Sequence, residues 1–564
     1  MQNKPIIYQV FTRLFGSDKN VNQPNGDRNV NGCGTMTAFT PAALAEIKAL
    51  GATHIWYTGI IEHATQTDYS AYGITRDHHA VVKGKAGSAY AIKDYYDVDP
   101  DIATTVPARM REFEDLLLRS HRANLKVIID FVPNHVARQY HSDACPEGVE
   151  DLGAADDTTK HFSAQNNFYY FPGEQFQADF DLQQDEDAPY IENPARATGN
   201  DVFSSFAGHN DWYETVKLNY GVDYTAGRVT NFDPIPSTWE KMLNILLFWA
   251  DKGVDGFRCD MAEMVPAEFW GWAIPQVKAR HESIIFIAEV YNPAEYHRYI
   301  YDGHFDYLYD KVGLYDTLRA VTCGYANASA ITGCWQALDD IRPHMLSFLE
   351  NHDEQRLASD FFAGNPLKGR APMLVAATFS TGPVMLYFGQ ELGERGMDSE
   401  GFSGCDGRTT IFDYWTVDTI SRWRNKGAFD GSKLMPQEIE LQSFYKTLLN
   451  LCSNEIAIQQ GEFYDLMYVN PPSEHFNPNK QYAFLRHSER TTLLIVANFD
   501  SEPAAIDVQI PEHVFKFYRM NKRRRLRSID LLTGKAHSIS FTSEVPTHVN
   551  LPAYGGVILK FKTI

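Results

Sequence analysis

Residues 253–265 read GVDGFRCDMAEMV, an apolar run that ends in two opposite charges. The run at 254–259 is short and apolar and is followed at once by Asp260, which is typical of a buried strand that ends at a polar rim. Arg258 lies two residues before Asp260, so both side chains point to the same face of such a strand. A guanidinium there can hold the carboxylate ionised and oriented. The alternative is a simple ion pair that closes the end of the strand.

Short apolar runs alternate with helical patterns on both sides of this stretch. Residues 40–50 begin with a threonine suited to an N-cap and are followed by Gly51, which are start and stop signals of a helix. Eight strand candidates in βα order predict an α/β fold, the (β/α)8 TIM barrel. These candidates are residues 5–15, 52–59, 127–132, 254–259, 284–290, 305–309, 345–349 and 384–388.

The alternation stops between residues 136 and 231, which are rich in Asp, Asn, Gln, Tyr and Phe without a sustained period. A stretch that long and irregular favours an inserted domain over a loop. From residue 465 onward, short strand-like runs between turn residues predict a C-terminal antiparallel β-domain. We therefore predict three domains: a barrel at 1–135 and 232–464, an inserted domain after the third strand at 136–231, and a β-domain at 465–564.

The formal net charge of −21 argues against a nucleic-acid partner and against an anionic membrane surface. The one basic run, KRRRLR at 522–527, is interpreted as a solvated hairpin or loop. Seven cysteines without CxxC spacing favour a reducing compartment over a disulfide or zinc framework. The N-terminus has no signal-peptide pattern, and no run approaches the ~18 apolar residues of a membrane span. We therefore expect a cytoplasmic protein, whose oligomeric state the composition leaves open.

Polar side chains stand at the predicted carboxyl ends of four barrel strands. The motifs are DFVPNH at 130–135, GFRCD at 256–260, FIAEV at 286–290 and SFLENHD at 347–353. In TIM barrels these strand ends form the face that carries the active site. Asp260, Glu289 and Asp353 lie at the tips of three different strands. A cap or loop role explains each alone, but all three together indicate one site.

These motifs, in this order, resemble the four strand-end signatures of the α-amylase family, glycoside hydrolase family 13. The opening segment IIYQVFTRLF at 6–15 and the later segment GPVMLYFGQELG at 382–393 resemble further blocks of that family. The resemblance covers residues 5–395 and, with the terminal β-domain, nearly the whole chain. It implies a barrel, an inserted domain after the third strand and a β-sandwich behind it.

The resemblance implies that Asp260 is a catalytic nucleophile, that Glu289 is the acid/base and that Asp353 is a third carboxylate that grips sugar hydroxyls. A retaining glycosidase needs two carboxyl groups about 5 to 5.5 Å apart, a spacing that neighbouring strand tips can supply. Glu289 must keep its proton through burial or a nearby like charge, whereas Asp260 must be ionised. We therefore predict cleavage of α-1,4 bonds in maltooligosaccharides or starch through a covalent glycosyl-enzyme.

His135 and His352 match the two histidines with which the family hydrogen-bonds the same sugar ring. Tyr90, in SAYAIKDYY at 88–96, resembles the tyrosine that stacks beneath the sugar at the cleavage point. A core aromatic is the alternative for Tyr90. Together with Arg258, these three residues form the predicted substrate-binding set.

Two further segments carry side chains suited to sugar contacts. The segment at 404–415 contains Asp406 and Arg408 as candidates for a more distant sugar site, although their spacing is atypical. Trp212 and Tyr213 are adjacent aromatic residues in the predicted insert. Aromatic rings can stack on sugars or fill a small core, and we favour the core.

Calcium is the cofactor that the resemblance implies. Family members often bind it through an asparagine and through the carbonyl of a histidine four positions after the nucleophile. Asn134 retains the first contact, whereas Glu263 and Met264 replace the Lys-His pair that carries the second. The resemblance to this metal site is therefore incomplete.

A second calcium candidate is DRNVNGCGT at 27–35, which resembles the D-x-N-x-D-G-x-G-D loop of some relatives. Its candidate ligands are Asp27, Asn29 and Asn31, because oxygen ligands at alternate positions suit calcium. Asn31 and Thr35 stand where carboxylates are expected. A turn rich in glycine and asparagine, without metal, is the alternative.

Two other functions fit the same motifs. A transglycosylase of the same family would use identical carboxylates and pass the glycosyl-enzyme to another sugar instead of water. A non-catalytic carbohydrate-binding homologue would keep the barrel without turnover, which the three intact carboxylates disfavour. The sequence leaves chain length and the preference between α-1,4 and α-1,6 bonds open.

Overall fold

The computed structural model describes residues 4–19, 21–184 and 188–562. Its centre is a parallel sheet in which each strand pairs with the next along the chain, and the first also pairs with the eighth. A parallel bridge between Ser347 and Val384 closes the ring. The predicted (β/α)8 barrel is therefore confirmed. Its strands, β1 to β8, are Ile6–Phe11, His54–Thr58, Lys126–Phe131, Gly256–Cys259, Ile285–Ala288, Tyr307–Tyr309, Met345–Leu346 and Val384–Tyr387.

Helices follow the strands in the chain. The first begins as predicted, because Thr40 Oγ1 accepts a hydrogen bond from Ala43 N at 3.2 Å. Gly51 follows its end with a φ of 105°, where a side chain would be strained. The main helices are Pro41–Ala49, Arg109–Arg122, Ser237–Asp251, Ala267–Arg280, Tyr296–Tyr301, Asp316–Thr322, Ile331–Leu338, Arg370–Thr378, Asp418–Arg424 and Pro436–Asn454. Shorter helices are Thr12–Phe15, Arg28–Asn31 and Ile456–Gln459.

In the part of the insert that the structure describes, between β3 and the next helix, the strands are all very short. They pair as Tyr170–Phe171 with Ala195–Arg196, Gln177–Ala178 with Phe206–Ala207, Val222–Asp223 with Val229–Thr230, and Thr215–Lys217 with His135–Ala137. Phe176, Tyr190 and Tyr213 belong to a small apolar core that the insert shares with Ala80 and Val81. Because His135–Ala137 directly follows β3, the last pairing attaches the insert beside the carboxyl ends of the barrel strands.

The C-terminal region forms the predicted antiparallel β-structure. A six-stranded sheet contains, in spatial order, Glu462–Asp465, Gln481–Ser488, Thr491–Asn498, Gly555–Lys562, Arg523–Asp530 and Ala536–Phe541. Ala504–Val508 pairs with Thr547–Leu551, and the helix Glu512–Phe517 lies between them in the chain. In the basic run, Arg523, Arg524 and Arg525 are exposed. No helix within the described ranges is both long and apolar enough to cross a membrane.

A cluster of buried carboxyl groups lies on the hairpin that follows β2, formed by Ile61–His63 and Ile92–Val98. Glu62 pairs with Asp94 across this hairpin, and both are buried. Asp94 accepts a hydrogen bond from Ser142 Oγ at 2.6 Å, whereas Glu62 Oε2 has no hydrogen-bond partner in the described part of the chain. Burial, reinforced by the charge of Asp94, raises the pKa of Glu62 to about 9.

We expect Glu62 to make stability fall as the pH rises. The unfolded chain loses the Glu62 proton near the ordinary pKa of 4.5, so the stabilising contribution is complete below that pH. It is lost as the pH rises through the folded-state pKa of about 9. Glu62→Gln is neutral at every pH, so its melting temperature should decrease less between about pH 6 and about pH 9. Calorimetry of both proteins tests this, and an identical decrease would contradict it.

Candidate active site

Seven side chains predicted for catalysis or substrate binding meet at the carboxyl ends of the barrel strands. A cavity of about 370 Å³ opens there, and Arg258 lies buried behind its acidic side chains. The other six line the cavity, and they are Tyr90, His135, Asp260, Glu289, His352 and Asp353. The structure thus brings these seven side chains together from segments that lie far apart in the sequence.

One guanidinium connects the acidic side chains of the cavity. Arg258 Nη1 lies 2.7 Å from Asp260 Oδ1, and Nη2 lies 2.8 Å from Glu289 Oε2. The same group lies 3.4 Å from Asp130 Oδ1 and 4.0 Å from Asp353 Oδ2. A guanidinium is rigid and planar, and its two terminal nitrogens are close together. The carboxyl groups of Asp260 and Glu289, which contact these two nitrogens, are therefore near each other. They point into the same cavity.

Several buried acids around a single cation have raised pKa values. Burial raises the pKa of Asp260 well above its ordinary range, Arg258 opposes this shift, and the charges of Glu289 and Asp353 add to it. Burial also raises the pKa of Asp130 to about 6 and that of Asp353 to about 7. The expectation that Arg258 alone keeps Asp260 ionised is therefore too simple. Asp130, Asp260 and Asp353 therefore keep their protons to a higher pH than free carboxyl groups do.

The turn after β4 positions Glu289. Met261, the residue after Asp260, donates its backbone N–H to Glu289 Oε2 at 2.8 Å, and Tyr291 OH donates to Oε1 at 2.5 Å. Met261 has a φ of 42°, a conformation that costs a non-glycine residue on the order of 1–3 kcal/mol. This turn aims the amide at Glu289, so the segment that carries Asp260 also orients the second carboxyl group.

Tyr90 and His352 form a stacked pair at the cavity wall, with ring centroids 5.0 Å apart and 18° between the planes. Gln9 Nε2 donates to His352 Nδ1 at 2.8 Å. The hydrogen of the neutral imidazole then lies on Nε2, which is 3.0 Å from Asp353 Oδ2. Burial lowers the pKa of His352 well below its ordinary value. His352 is therefore a neutral hydrogen-bond donor, and Tyr90 lines the cavity while it also packs against the main apolar core.

His135 is a second neutral histidine in the wall. Asn134 Nδ2 lies 3.1 Å from its Nδ1, and burial lowers the pKa of His135 to about 3. Its ring lies 5.2 Å from the ring of Trp212. Trp212 lines the cavity, whereas Tyr213 is buried in the core of the insert. The sequence interpretation of this aromatic pair as core is therefore wrong for Trp212.

Other wall residues carried little signal in the sequence. Lys83 and Glu214 form an ion pair of 3.0 Å at the wall, and each comes from an irregular segment without period. Arg408, considered for a distant sugar site, lines this same cavity. Tyr291 lies two residues after Glu289, a spacing that places side chains on one face of a strand and could have identified it.

The segment 27–35 contains the helical turn Arg28–Asn31, and the side chains of Asp27 and Asn31 already have protein partners. Asp27 Oδ1 accepts a hydrogen bond from Asn29 N at 2.9 Å, which makes Asp27 the cap of this turn. Asn31 is buried, and it donates to Gln23 O at 2.8 Å and accepts from Gln23 N at 2.9 Å. The side chain of Asn29 is exposed. The predicted ligands therefore do not fit a calcium ion here.

A lysine occupies the position of the other expected calcium contact. Lys217 Nζ donates a hydrogen bond to Asn134 Oδ1 and lies 3.4 Å from the carbonyl oxygen of Met264. The carboxylate of Asp201 is 2.6 Å from the same nitrogen. An ammonium and a calcium ion cannot share these oxygen atoms at one point. Asn134 thus serves as a partner of Lys217 and does not fit a metal ligand.

Known proteins are similar to this chain in sequence and in fold. The family profile described as alpha amylase, catalytic domain, matches residues 9–427. Alpha-amylase MalA of Haloarcula japonica is 24% identical over 515 residues, which are 89% of this chain and 56% of that protein. Neopullulanase 2 of Thermoactinomyces vulgaris is 22% identical over 94% of this chain and 73% of its own length.

Among solved structures, the α-amylase of Geobacillus thermoleovorans complexed with acarbose has a TM-score of 0.63 and 18% identity. The match covers 99% of this chain and 98% of that chain, which shows a shared fold. The family profile covers the end of β1, the other seven barrel strands and the four strand-end motifs beside the cavity. The chain therefore belongs to the α-amylase family, glycoside hydrolase family 13, and is a glycosidase.

Proposed function

We propose that this protein is a retaining hydrolase that cleaves α-1,4-glucosidic bonds of maltooligosaccharides or starch. Asp260 is the nucleophile, and Glu289 is the acid/base. The observation that supports this most strongly is the guanidinium of Arg258, 2.7 Å from one carboxyl group and 2.8 Å from the other. A retaining mechanism needs carboxyl groups only about 5 to 5.5 Å apart, and the contact of both groups with one guanidinium supports such a close approach.

In the first step, protonated Glu289 donates its proton to the glycosidic oxygen while Asp260 attacks the anomeric carbon in its ionised form, which the Arg258 guanidinium favours against the effect of burial. The bond between that carbon and the glycosidic oxygen breaks, and the glucan fragment leaves as an alcohol. In the second step, ionised Glu289 takes a proton from water, whose oxygen attacks the same carbon and releases Asp260 as a carboxylate. Arg258 stabilises the carboxylate that departs, and the amide of Met261 keeps Glu289 in place for both transfers.

The remaining wall residues have the chemistry of a sugar site. Tyr90 offers an aromatic face on which a pyranose ring can stack. The neutral His135 and His352 can donate hydrogen bonds to hydroxyl groups, which the carboxylate of Asp353 can accept. The names alpha-amylase and neopullulanase of two relatives, and the acarbose complex of a third, support an α-glucan as the substrate.

Glu289→Ala tests the assignment of the acid/base. Because a poor leaving group needs a proton, the variant should lose about 10²–10⁴-fold in kcat on maltooligosaccharides. It should lose far less on an α-maltosyl fluoride, because fluoride leaves without protonation. Initial rates on both substrates measure the difference. Equal losses on the two substrates would contradict the role of Glu289.

Products from maltoheptaose distinguish hydrolysis from transfer. Hydrolysis gives only shorter chains, which is the expected result. Chains longer than maltoheptaose would identify the protein as a transglycosylase, which uses the same carboxyl groups. Binding without any products would favour a non-catalytic homologue.

We propose that the protein is located in the cytoplasm. All seven cysteines are free, which supports a reducing environment. An α-glucan is the one partner that we propose. Calcium is not retained as a cofactor, because protein groups engage the predicted ligands.

A further inference from the structure

Lys217 lies where the insert meets the loop that carries the proposed nucleophile. It ends the strand Thr215–Lys217, and it pairs with His135 across the short sheet beside β3. The residue is 2% exposed, so its ammonium has lost nearly all contact with water. A buried ammonium is costly unless oxygen atoms replace its hydration shell.

Three oxygen atoms from three separate segments surround this ammonium. Asn134 supplies a side-chain oxygen from the end of β3, Met264 a backbone carbonyl from the loop after Asp260, and Asp201 a carboxylate from the insert. An ammonium has three N–H groups and can donate one toward each. Asp201 supplies the single negative charge that matches the single positive charge of Lys217.

We propose that the ammonium of Lys217 is a built-in cation that takes the place of a calcium ion and holds the insert to the nucleophile loop. Oxygen ligands of this kind are also those of calcium, which needs six to eight of them. One carboxylate and two neutral oxygens suit an ammonium better. The covalent side chain also supplies its charge at every calcium concentration.

This arrangement makes Lys217 a positioning residue for the catalytic groups. Met264 belongs to the same short loop as Met261, whose amide holds Glu289. Asn134, the second partner, adjoins His135 in the cavity wall. Loss of the ammonium would release both segments, and a displacement of about 1 Å can cost on the order of 100-fold in rate.

Lys217→Ala, with Lys241→Ala as the matched control, tests the proposal. Lys241 Nζ also has three oxygen partners and joins the helix Ser237–Asp251 to the insert, through Glu150, Asp151 and Asn167. Both variants should lose stability. Only Lys217→Ala should lose about ten- to a hundredfold in kcat, because only Lys217 contacts the loop of Asp260.

Melting temperatures measured in EDTA and in calcium chloride need no substrate. They therefore test the role of Lys217 independently of the reaction proposed above. Wild type and Lys241→Ala should melt at the same temperature in both solutions. Calcium should raise the melting temperature of Lys217→Ala, because the vacated oxygens can then bind it. Three results would overturn the proposal: equal stabilisation of wild type and Lys217→Ala, no stabilisation of Lys217→Ala, or equal kcat in the two variants.

Discussion

Asp260→Asn should reduce kcat on maltooligosaccharides by about 10⁴-fold or more, the scale seen when a catalytic nucleophile is removed. A carboxamide is too weak a nucleophile to form the glycosyl-enzyme. Its oxygen can still accept the hydrogen bond that Arg258 now donates at 2.7 Å, so the fold should persist. Release of reducing sugar gives kcat, and circular dichroism gives the melting temperature.

Asp255→Asn is the matched control, because Asp255 lies just before the opposite end of the same strand. Its Oδ2 accepts a hydrogen bond from Val127 N at 2.8 Å, a contact that asparagine can retain. It also pairs with His121 at 2.7 Å on a partly exposed surface. This variant should keep the wild-type kcat. Full activity in Asp260→Asn, or an equal loss in Asp255→Asn, would contradict the assignment.

Arg258→Met should cost about 3–5 kcal/mol of the free energy of unfolding, because it leaves buried acids without their shared cation. The carboxyl groups would respond by holding their protons to higher pH. Since these raised pKa values are lost on unfolding, the deficit should grow as the pH rises through about 6 to 7, where Asp130 and Asp353 titrate. Urea unfolding at about pH 5 and about pH 8 measures this difference.

Arg298→Met is the control for a lost ion pair at the surface. Arg298 is 46% exposed and lies 2.8 Å from Glu268 and 3.3 Å from Glu295. Exposed pairs of this kind contribute about 0–1 kcal/mol. Arg258→Met should also lose most of its activity, whereas Arg298→Met should retain it. A similar small loss of stability in both variants would show that Arg258 does not balance the acidic cluster.

The barrel could be predicted from the sequence because each of its strands is a short, nearly continuous apolar run. Such runs are required where a strand is buried on both faces, and all six residues of β1 are buried. The boundaries were less accurate. The predicted strand at 5–15 divides into β1 and the helical turn Thr12–Phe15, since apolar composition alone does not separate a strand from a buried helical turn.

The meeting of Asp260, Glu289 and Asp353 in one cavity could be predicted because each stands at the end of such a run. The role of Lys217 could not, because its partner Asn134 is 83 residues away in the chain. The same reason applies to Trp212, whose place in the cavity wall depends on how the irregular insert folds over the barrel. Contacts between residues far apart in the chain, in a segment without periodicity, produce no local sequence pattern from which they could be predicted.

The proposed mechanism depends most on a covalent bond between the sugar and Asp260. A fluorinated glycosyl fluoride, which slows hydrolysis of the intermediate, should trap the glycosyl-enzyme, and mass spectrometry of the digested protein locates the adduct. We predict one added sugar per chain, on the peptide that contains Asp260. An adduct on Asp130 or Asp353, or continued turnover with inversion at the anomeric carbon and no adduct, would contradict the account.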